Sequence, residues 1–445
     1  MRRSLVLLRH ALAPLAASLL LCGGAQAQWL TGWAQMPADT FADGPTSGQF
    51  AAPNPYGSHL PPYTNRQPVQ GFSGVLQGPK PDVFRFLVDN GFGGQANSAD
   101  VLLRAYAIEI DWRDRRGGRG TATPADWHTG RDRAAFDTRT RLQLNDENRR
   151  LTLRIQADLA NYYGDPARPP VDASIRRGRL LTGADFDIEA FRRDHRGHYW
   201  FGDEFGPYLL KTDSRGTVLR SEISMPGVYA PQHKDVVAGL AAANLPSSGG
   251  FEGMAINRSG TRLYTLLERS VTGDPERTLR IAEFDVDAEA YTGRRFAYRL
   301  EAAGTNIGDM VAVDDRRFIV LERNGGTATT PQTVPFKKVY LIDLEQVEAG
   351  GMVRKLELVD LMNVADPFDL NGDGSQVFTF PYVTIENVLI LDERTLLVVN
   401  DNNFPYGGGR ELASDATEFL RIRLPVALDL PGGDRDHRGH DADHD

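Results

Sequence analysis

Cysteine is almost absent from this chain, which has one, Cys22, in 445 residues. An intrachain disulfide is therefore impossible, and so is a zinc site built on several thiolates. Positive charge is also in deficit, because 50 Lys and Arg face 59 Asp and Glu, for a formal net charge of −9. A chain with this balance has no broad basic surface for nucleic acid, so we expect no nucleic-acid partner.

Common catalytic signatures are missing as well. The sequence contains no G-x-S-x-G elbow, no Walker loop and no H-E-x-x-H pair. The chain has histidines that could belong to a Ser/His/Asp triad, namely His195, His198 and His233. Their spacing from Ser and Asp residues does not support one. Serine-hydrolase, nucleotide-hydrolase and zinc-peptidase chemistry are thus disfavoured.

The longest apolar run lies at the start of the chain. Arg2 and Arg3 precede the apolar stretch 11–21, and Ala25-Gln26-Ala27 follows as an A-x-A cleavage site. This pattern predicts a secretory signal peptide over residues 1–27, which is too interrupted for a membrane span. We therefore expect a periplasmic or extracellular protein with no membrane partner after cleavage.

The two flanks of the mature chain differ from its centre in composition. Residues 28–67 are rich in Pro, Gly, Asn and Gln and predict an extended N-terminal segment. Residues 431–445 are mostly Asp, His and Arg and predict a disordered tail. In that tail His437, His440 and His444 offer at most adventitious metal binding. Residues 68–430 remain for one folded domain.

Within that domain one pattern recurs four times, with a fainter copy at 71–90. Each copy has an acid, a turn, an apolar strand and a second acid where the strand ends. The two acids are separated by 15 residues in Glu189/Glu204, 16 in Glu252/Glu268, 13 in Asp309/Glu322 and 15 in Glu386/Asp401. Short strands in such units predict an all-β fold, a β-propeller. The stretch 116–172 is long enough for a sixth blade or an insertion, so we expect six or seven blades in a single domain.

Equivalent positions of successive blades lie around a propeller's axis, so the recurring acids predict two rings of carboxylates. Converging carboxylates repel one another and need a cation, a basic partner or raised pKa values. Oxygen ligands without Cys or clustered His favour Ca²⁺ over zinc, which makes Ca²⁺ the expected cofactor. The alternative is structural, with each acid accepting backbone N–H groups at a tight turn.

We assign candidate roles on this basis. The metal-binding candidates are Glu189, Asp203, Glu252, Asp309 and Glu386, and the catalytic candidates are Glu204, Glu268, Glu322 and Asp401. Arg269 and Arg323 follow two ring acids, where they suit bidentate contact with an anionic substrate group or pairing with a neighbouring carboxylate. Asn402 and Asn403 are the remaining substrate-binding candidates.

A separate calcium signal lies near the end of the domain. Asp369-Leu-Asn371-Gly-Asp373-Gly374 matches the first half of a Ca²⁺-binding loop. The twelfth position is Phe380, where an EF-hand has Glu, so the full motif fails. Two interpretations remain: a calcium loop of another kind, with Asp369, Asn371 and Asp373 as ligands, or an ordinary Asx-rich turn.

Several of these runs resemble a known family. They are D-F-D-I-E at 185–189, D-E-F-G-P at 203–207 and N-D-N-N-F-P at 400–405, with further matches at 250–254 and 385–388. Over most of residues 68–425 the chain resembles the secreted phytase-like family, which is described by esterase-like activity of phytase. The resemblance implies hydrolysis of a phosphoester or another ester on a propeller. Extended to the calcium-dependent propeller phytases, it implies Ca²⁺ ions that neutralise phosphate and activate water, although these motifs are poor in basic residues for phosphate.

Three functions are therefore open. The leading one is a secreted, metal-assisted hydrolase of phosphomonoesters or other esters, with a small-molecule substrate. The second is a lactonase-like propeller hydrolase, in which Glu, Asn and Asp share one cation; Asn387, Asn402 and Asn403 make it credible. The third is a non-catalytic binding or scaffold propeller whose acids only hold turns.

Overall fold

The computed structural model describes residues 28–430. The signal peptide predicted for 1–27 and the tail predicted for 431–445, with its three histidines, lie outside the described residues. Within 28–430 the chain is nearly all β-structure, and none of its helices is long and apolar enough to span a membrane. The strands form five antiparallel blades that follow one another along the chain.

The first part of the chain builds two blades. Before the first blade lie β1 (Trp29–Met36), β2 (Phe41–Asp43) and β3 (Arg66–Pro68). Blade one comprises β4 (Phe72–Gln77), β5 (Val83–Val88), β6 (Arg104–Asp111) and β7 (Thr121–Pro124), with β8 (Arg141–Gln143) beside the first half of β6. Two 3-10 turns (Gln156–Asp158 and Tyr162–Gly164) and helix α1 (Ala173–Gly178) follow. Blade two comprises β9 (Ile188–Arg193), β10 (Tyr199–Asp203), β11 (Tyr208–Thr212) and β12 (Ile223–Ser224).

The second part builds three more blades. Helix α2 (Lys234–Val237) precedes blade three, which comprises β13 (Phe251–Ile256), β14 (Arg262–Leu267), β15 (Thr278–Asp285) and β16 (Ala290–Arg299). Blade four comprises β17 (Asn306–Ala312), β18 (Arg317–Arg323), β19 (Lys337–Val347) and β20 (Val353–Asp360), with a 3-10 turn at Ala349–Gly351. The short pair β21 (Val364–Ala365) and β22 (Val377–Phe378) leads to β23 (Ile385–Asp392), β24 (Thr395–Asn400) and β25 (Thr417–Arg423).

The five blades close into a ring. Their innermost strands, β4, β9, β13, β17 and β23, contact one another in a complete cycle around the axis. Blade five takes its outer strand from the other end of the chain, because β1 pairs antiparallel with β25, from Trp29 opposite Arg423 to Met36 opposite Thr417. The β-propeller prediction is confirmed, but the blade number is five rather than six or seven.

Two segments account for the smaller number of blades. The stretch 116–172, predicted as a sixth blade or an insertion, completes blade one with β7 and is otherwise an insertion. Its apolar side chains, among them Trp127, Ile155 and Tyr162, join a core with Phe186 and Phe201 of the next unit. The segment 28–67, predicted as an extended arm, supplies β1 to blade five. Both segments add core without adding a blade.

The middle strands of the blades are buried on both faces, which explains their continuous apolar runs. Every residue of β10 (YWFGD) and of β24 (TLLVVN) is buried. Strands enclosed between two neighbouring sheets have no polar face to present to water. Neither of these two strands carries an acid before its last residue, and Glu204 and Asp401 directly follow the two strands.

The role of β1 in closing the ring can be tested by truncating one side chain. Leu30 of β1 is buried in the core shared by blades four and five, whereas Gln35 of the same strand is exposed. We expect Leu30→Ala to lower the free energy of unfolding by about 2–5 kcal/mol, because it leaves a cavity. Gln35→Ala should change it by no more than about 0.5 kcal/mol. Denaturant unfolding measures both, and equal stabilities would show that β1 is not part of the cooperative fold.

Candidate functional site

Every inner strand contains an extra residue near its start, relative to the strand beside it. In blade three, Phe251 lies opposite Leu267 and Gly253 opposite Leu266, so Glu252 is a β-bulge residue without a partner. The same irregularity occurs in the other four blades. The five bulge positions are Ser73, Glu189, Glu252, Gly308 and Glu386. A bulge redirects its side chain out of the regular alternation, and three of these five positions carry a carboxylate.

A second set of equivalent positions lies where the neighbouring strand ends. In blade three this position is Glu268, which follows Leu267, the partner of Phe251. The five strand-end positions are Asp89, Glu204, Glu268, Arg323 and Asp401. Four of them carry a carboxylate and the fifth a guanidinium group.

This register corrects the sequence assignment in blade four. The recurring-acid pattern predicts Asp309 and Glu322 as ring members, but the equivalent residues are Gly308 and Arg323. The spacing distinguishes the two assignments. Bulge and strand-end positions are 15 or 16 residues apart in all five blades, whereas Asp309 and Glu322 are 13 apart. The same spacing in the faint first copy identifies Ser73 and Asp89, which the sequence analysis missed.

Asp309 and Glu322 make contacts outside the rings. Asp309 is fully buried and forms an ion pair with Arg192 at 2.8 Å. Glu322 accepts a hydrogen bond from the Tyr298 hydroxyl at 2.6 Å and pairs with Lys355 at 2.8 Å. The charges of both acids are already balanced by these neighbours. Asp309 links the inner strands of blades two and four, and Glu322 links blades three and four.

Asp203 holds a turn. Its Oδ1 accepts from the backbone N–H of Asp187 at 2.9 Å, and its Oδ2 from that of Gly206 at 2.7 Å. Burial raises the pKa of Asp203 to about 8, and these two backbone bonds oppose that rise. Both oxygens accept hydrogen bonds from the backbone. Asp203 therefore has the structural role of an acid that holds a tight turn.

Arg323 lies at the centre of the axial acids. Its Nη2 is 2.7 Å from Glu386 Oε1, 3.1 Å from Glu252 Oε1 and 3.4 Å from Glu268 Oε1. The four side chains come from three blades and are buried. Burial alone would lower the pKa of the guanidinium, but the three carboxylates raise it above its ordinary value. Arg323 is therefore a permanent internal cation rather than a group exposed to substrate.

Glu204 completes a carboxylate triad with Glu252 and Glu268. One oxygen of each lies within 4.8 Å of the others. Glu268 also accepts from Asn306 Nδ2. Glu204 Oε1, in contrast, is buried and has no hydrogen-bond partner among residues 28–430. An unpartnered buried carboxylate oxygen is costly, so this atom has capacity for a further ligand.

The triad belongs to a larger group of acids, here called the axial acid cluster. Its members are Asp89, Asp187, Glu189, Glu204, Glu252, Glu268, Glu386 and Asp401. Burial, followed by repulsion from Glu268 and Asp187, raises the pKa of Glu204 well above its usual range. Burial also raises the pKa of Glu386 to about 8, although Arg323 opposes this. Eight carboxyl groups around one guanidinium retain an excess of negative charge unless protons or a cation bind.

These features fit a hard metal ion. The ligand atoms that converge are carboxylate oxygens, no histidine or cysteine joins them within residues 28–430, and one oxygen is unpartnered. Hard divalent cations prefer such oxygen ligands. The buried acidic cluster can therefore bind a metal ion.

Arg269 occupies the rim of the cluster. Its Nε donates to Glu268 Oε2 at 3.0 Å, and 43% of its side chain is exposed. Its two terminal nitrogens make no hydrogen bond to the described part of the chain. Arg269 is thus the arginine of the predicted pair that retains free donors beside the acids.

The loop after β24 holds Asp401 in place. Asp401 Oδ1 accepts from the backbone N–H of Asn403 at 2.7 Å, and its Oδ2 from Thr384 Oγ1 at 3.0 Å. Asn402 is only 1% exposed, and its amide donates to Gln70 and to the carbonyl of Asp415. Asn402 therefore positions the loop, while Asn403 is half-buried beside Asp401.

The calcium-like loop lies away from these residues, in the turn between β21 and β22. Asp369 Oδ1 accepts from the Gly374 N–H at 3.0 Å, and Asn371 donates to Asp373 at 2.8 Å. Asp369 and Asp373 are exposed. The loop stabilises itself by Asx-type bonds, and calcium binding there stays a prediction.

The fold and its axis define a five-bladed propeller with a buried acidic centre. The chain belongs to the phytase-like family, described by esterase-like activity of phytase, which it matches over residues 67–404. All ten bulge and strand-end positions lie inside that range. Membership of this family fits a hydrolase.

Similarity to individual proteins is weaker. An uncharacterized secreted protein of Arthroderma benhamiae is 28% identical over 153 residues, and the match covers 28% of this chain and 30% of that protein. Similar solved structures include a luciferin-regenerating enzyme (TM-score 0.35, 9% identity, 92% of this chain and 95% of that one). Another is the periplasmic gluconolactonase of Pseudomonas aeruginosa (TM-score 0.33, 13% identity, 88% and 99%). Similarities this low carry no argument about function, and the fold assignment rests on the strand pairing.

Removal of metal should make stability depend on pH. An acid whose pKa rises on folding, such as Glu386 from 4.5 to about 8, stabilises the fold below its unfolded pKa and loses that effect as the pH rises. We expect EDTA-treated protein to be less stable at pH 8 than at pH 5 by roughly 2–5 kcal/mol. A divalent cation should restore stability at pH 8 and do little at pH 5, where protons compete. Denaturant unfolding with EDTA or CaCl₂ measures this, and an equal cation effect at both pH values would contradict it.

Gly308 occupies the bulge position at which no side chain fits. A Cβ there would lie 1.9 Å from the carbonyl oxygen of Ile385 in the neighbouring inner strand. We expect Gly308→Ala to lower the free energy of unfolding by about 1–3 kcal/mol, because the two strands must separate. Gly325→Ala is the matched control, since a Cβ there meets no atom within 4 Å. Thermal or denaturant unfolding compares the two, and equal effects would show that the inner strands are not in close contact.

Proposed function

We propose that this protein is an exported, metal-assisted hydrolase of phosphomonoesters or other esters, which acts at the axial acid cluster. The observation that carries the proposal is the convergence of Glu204, Glu252 and Glu268, with Glu204 Oε1 unpartnered. Membership of a family described by esterase-like activity supports the reaction class. Export is supported by the N-terminal signal pattern and by the secreted relative.

Ca²⁺ is the proposed ion, with Glu204, Glu252 and Glu268 as its first ligands. Carboxylates from several strands suit the large, irregular oxygen coordination of Ca²⁺ better than the strict octahedron of Mg²⁺. When bound, the ion supplies a Lewis acid that neutralises an anionic substrate group and lowers the pKa of a water molecule. Glu189 and Glu386, at the other acidic bulge positions, would add negative charge to the site.

The chain's own residues perform the remaining tasks. Arg323 holds Glu252, Glu268 and Glu386 together, so their oxygens keep fixed positions. Arg269 binds an anionic group of the substrate with its free terminal nitrogens. Asp401, fixed by Thr384 and by the Asn403 N–H, accepts the proton of the attacking water.

Hydrolysis of lactones is the second candidate. Asn387 directly follows the bulge residue Glu386, and its Oδ1 is buried without a hydrogen-bond partner among residues 28–430. A neutral amide oxygen without a partner is a further ligand of the kind that calcium accepts. Ester and lactone substrates place the same demand on the site, since both require attack of water on a carbonyl carbon.

Metal titration and hydrolysis assays on the same preparation test the proposal. Metal-stripped mature protein is titrated with Ca²⁺ and Mg²⁺ by calorimetry. It is then assayed with p-nitrophenyl phosphate, p-nitrophenyl acetate and a lactone panel, with added metal or with EDTA. We expect metal-dependent turnover, lowered by about 100-fold or more in Glu204→Gln, because ligand loss exceeds the effect of losing an outer partner.

Glu283→Gln is the matched control for that variant. Glu283 is buried on β15 and pairs with Arg294, away from the axial acid cluster. Its loss should leave metal binding and turnover within about 2-fold. Hydrolysis that is indifferent to EDTA would refute metal assistance. Binding of metal without hydrolysis of any substrate class would instead favour a non-catalytic propeller.

A further inference from the structure

Four arginines are buried within residues 28–430, and one of them lacks a carboxylate partner. Arg179 pairs with Asp146 and Asp158, Arg192 with Asp309, and Arg323 with three glutamates. Arg104, on β6, is 3% exposed and forms no ion pair with the described residues. A buried guanidinium without a counter-charge is strongly disfavoured. Among the described residues, Arg104 is therefore the buried arginine that no carboxylate contacts directly.

The hydrogen bonds of Arg104 go to neutral atoms. Its Nε donates to Gln143 Oε1 at 2.6 Å, and its Nη1 donates to the Asp43 carbonyl at 2.9 Å and the Tyr106 hydroxyl at 3.2 Å. Its Nη2 makes no hydrogen bond to residues 28–430. This nitrogen lies beside Gly44, where a Cβ would come within 3.2 Å of it. The absence of a side chain at Gly44 leaves the edge of the guanidinium group open.

The nearest acid is already engaged. The carboxylate of Asp43 forms an ion pair with Arg141, whose side chain is 8% exposed, while that of Asp43 is 60% exposed. Burial lowers the pKa of Arg104, and the positive charge of Arg141 adds to this effect, while Tyr106 and the Asp43 carboxylate oppose it. Arg104 and Arg141 thus share one exposed carboxylate, which leaves a net positive charge.

Arg104 and Arg141 line an open cleft of about 700 Å³. Its wall includes Gly44, Thr138, Ser174 at the start of α1, and the exposed Arg215. The volume lies within the range of about 300–1,000 Å³ that is usual for small-ligand sites. None of the lining residues belongs to the axial acid cluster, and β6 is separated from the inner strand β4 by β5.

We propose that this cleft is a second ligand site, which binds a small organic anion through an oxyanion group, carboxylate or phosphate, held by Arg104 and Arg141. The planar fork of arginine matches both oxyanions by paired N–H···O bonds. The ligand oxygens fill the space over Gly44 and accept from Arg104 Nη2. Arg215 and the hydroxyl of Thr138 contact the rest of the molecule from the rim. The bound anion supplies the missing counter-charge.

Calorimetric titration of the mature protein tests the site with two defined probes, inorganic phosphate and citrate, at low ionic strength with EDTA present. Sodium chloride at matched ionic strength controls for screening. We expect saturable binding of at least one probe, weakened about 10-fold or more in Arg104→Lys, which keeps a charge but loses the fork. Arg179→Lys is the matched control, because Arg179 is equally buried but has its own carboxylates; it should bind as the parent does, within about 2-fold.

Asp43→Asn gives a test that does not depend on a buried residue. This change removes the only carboxylate among the cleft-lining residues, so anion affinity should rise by about 3-fold or more. Arg215→Ala should lower affinity by a smaller factor, because an exposed charge is screened. If Arg104→Lys does not fold, these two exposed variants decide the question. No saturable binding of either probe up to about 10 mM, or unchanged affinity in Asp43→Asn and Arg215→Ala, would overturn the proposal.

Discussion

One buried guanidinium group, that of Arg323, makes the centre of this propeller possible. Closure of five blades brings carboxylates from different strands to the same axis, where low dielectric strengthens their repulsion. Arg323 touches three of them at once and converts part of that repulsion into charge-assisted hydrogen bonds. The remaining acids stay electrically unsatisfied. Stability at the axis and affinity for a cation therefore have the same origin.

The bulges determine which acids reach the axis. An extra residue in each inner strand turns a side chain away from the blade core. The residue type at this position differs from blade to blade. Blades two, three and five present Glu, whereas blade one presents Ser73, which donates to Glu386 at 3.0 Å. Blade four presents Gly308, which lets its strand approach blade five. A fivefold backbone thus carries an asymmetric site, with Glu at three of the bulge positions and Ser or Gly at the other two.

The propeller class and six of the eight axial acids could be predicted from the sequence, because recurring short strands and recurring acids are local patterns. The blade number could not, since β1 pairs with a strand at the other end of the chain and the insertion at 116–172 is as long as a blade. The predicted ring residues of blade four are each wrong by one position, because an acid lies next to each true position. Asp309 follows Gly308, and Glu322 precedes Arg323. The anion site proposed at Arg104 could not be predicted from the sequence. It depends on the fact that no carboxylate contacts this arginine in the folded chain, and the sequence does not show which residues become neighbours.

The pairing of β1 with β25 also governs the order of assembly. Trp33 and Glu418, which are hydrogen-bonded across this pair, are 385 residues apart. A ribosome releases β1 before β25, so the edge of β1 that pairs with β25 stays open while four blades form. Joining such distant segments carries a large loop-closure entropy and belongs to the slow steps of folding. Glu386 and Asp401 of the axial acid cluster belong to blade five, so the cluster is complete only after this last blade has formed.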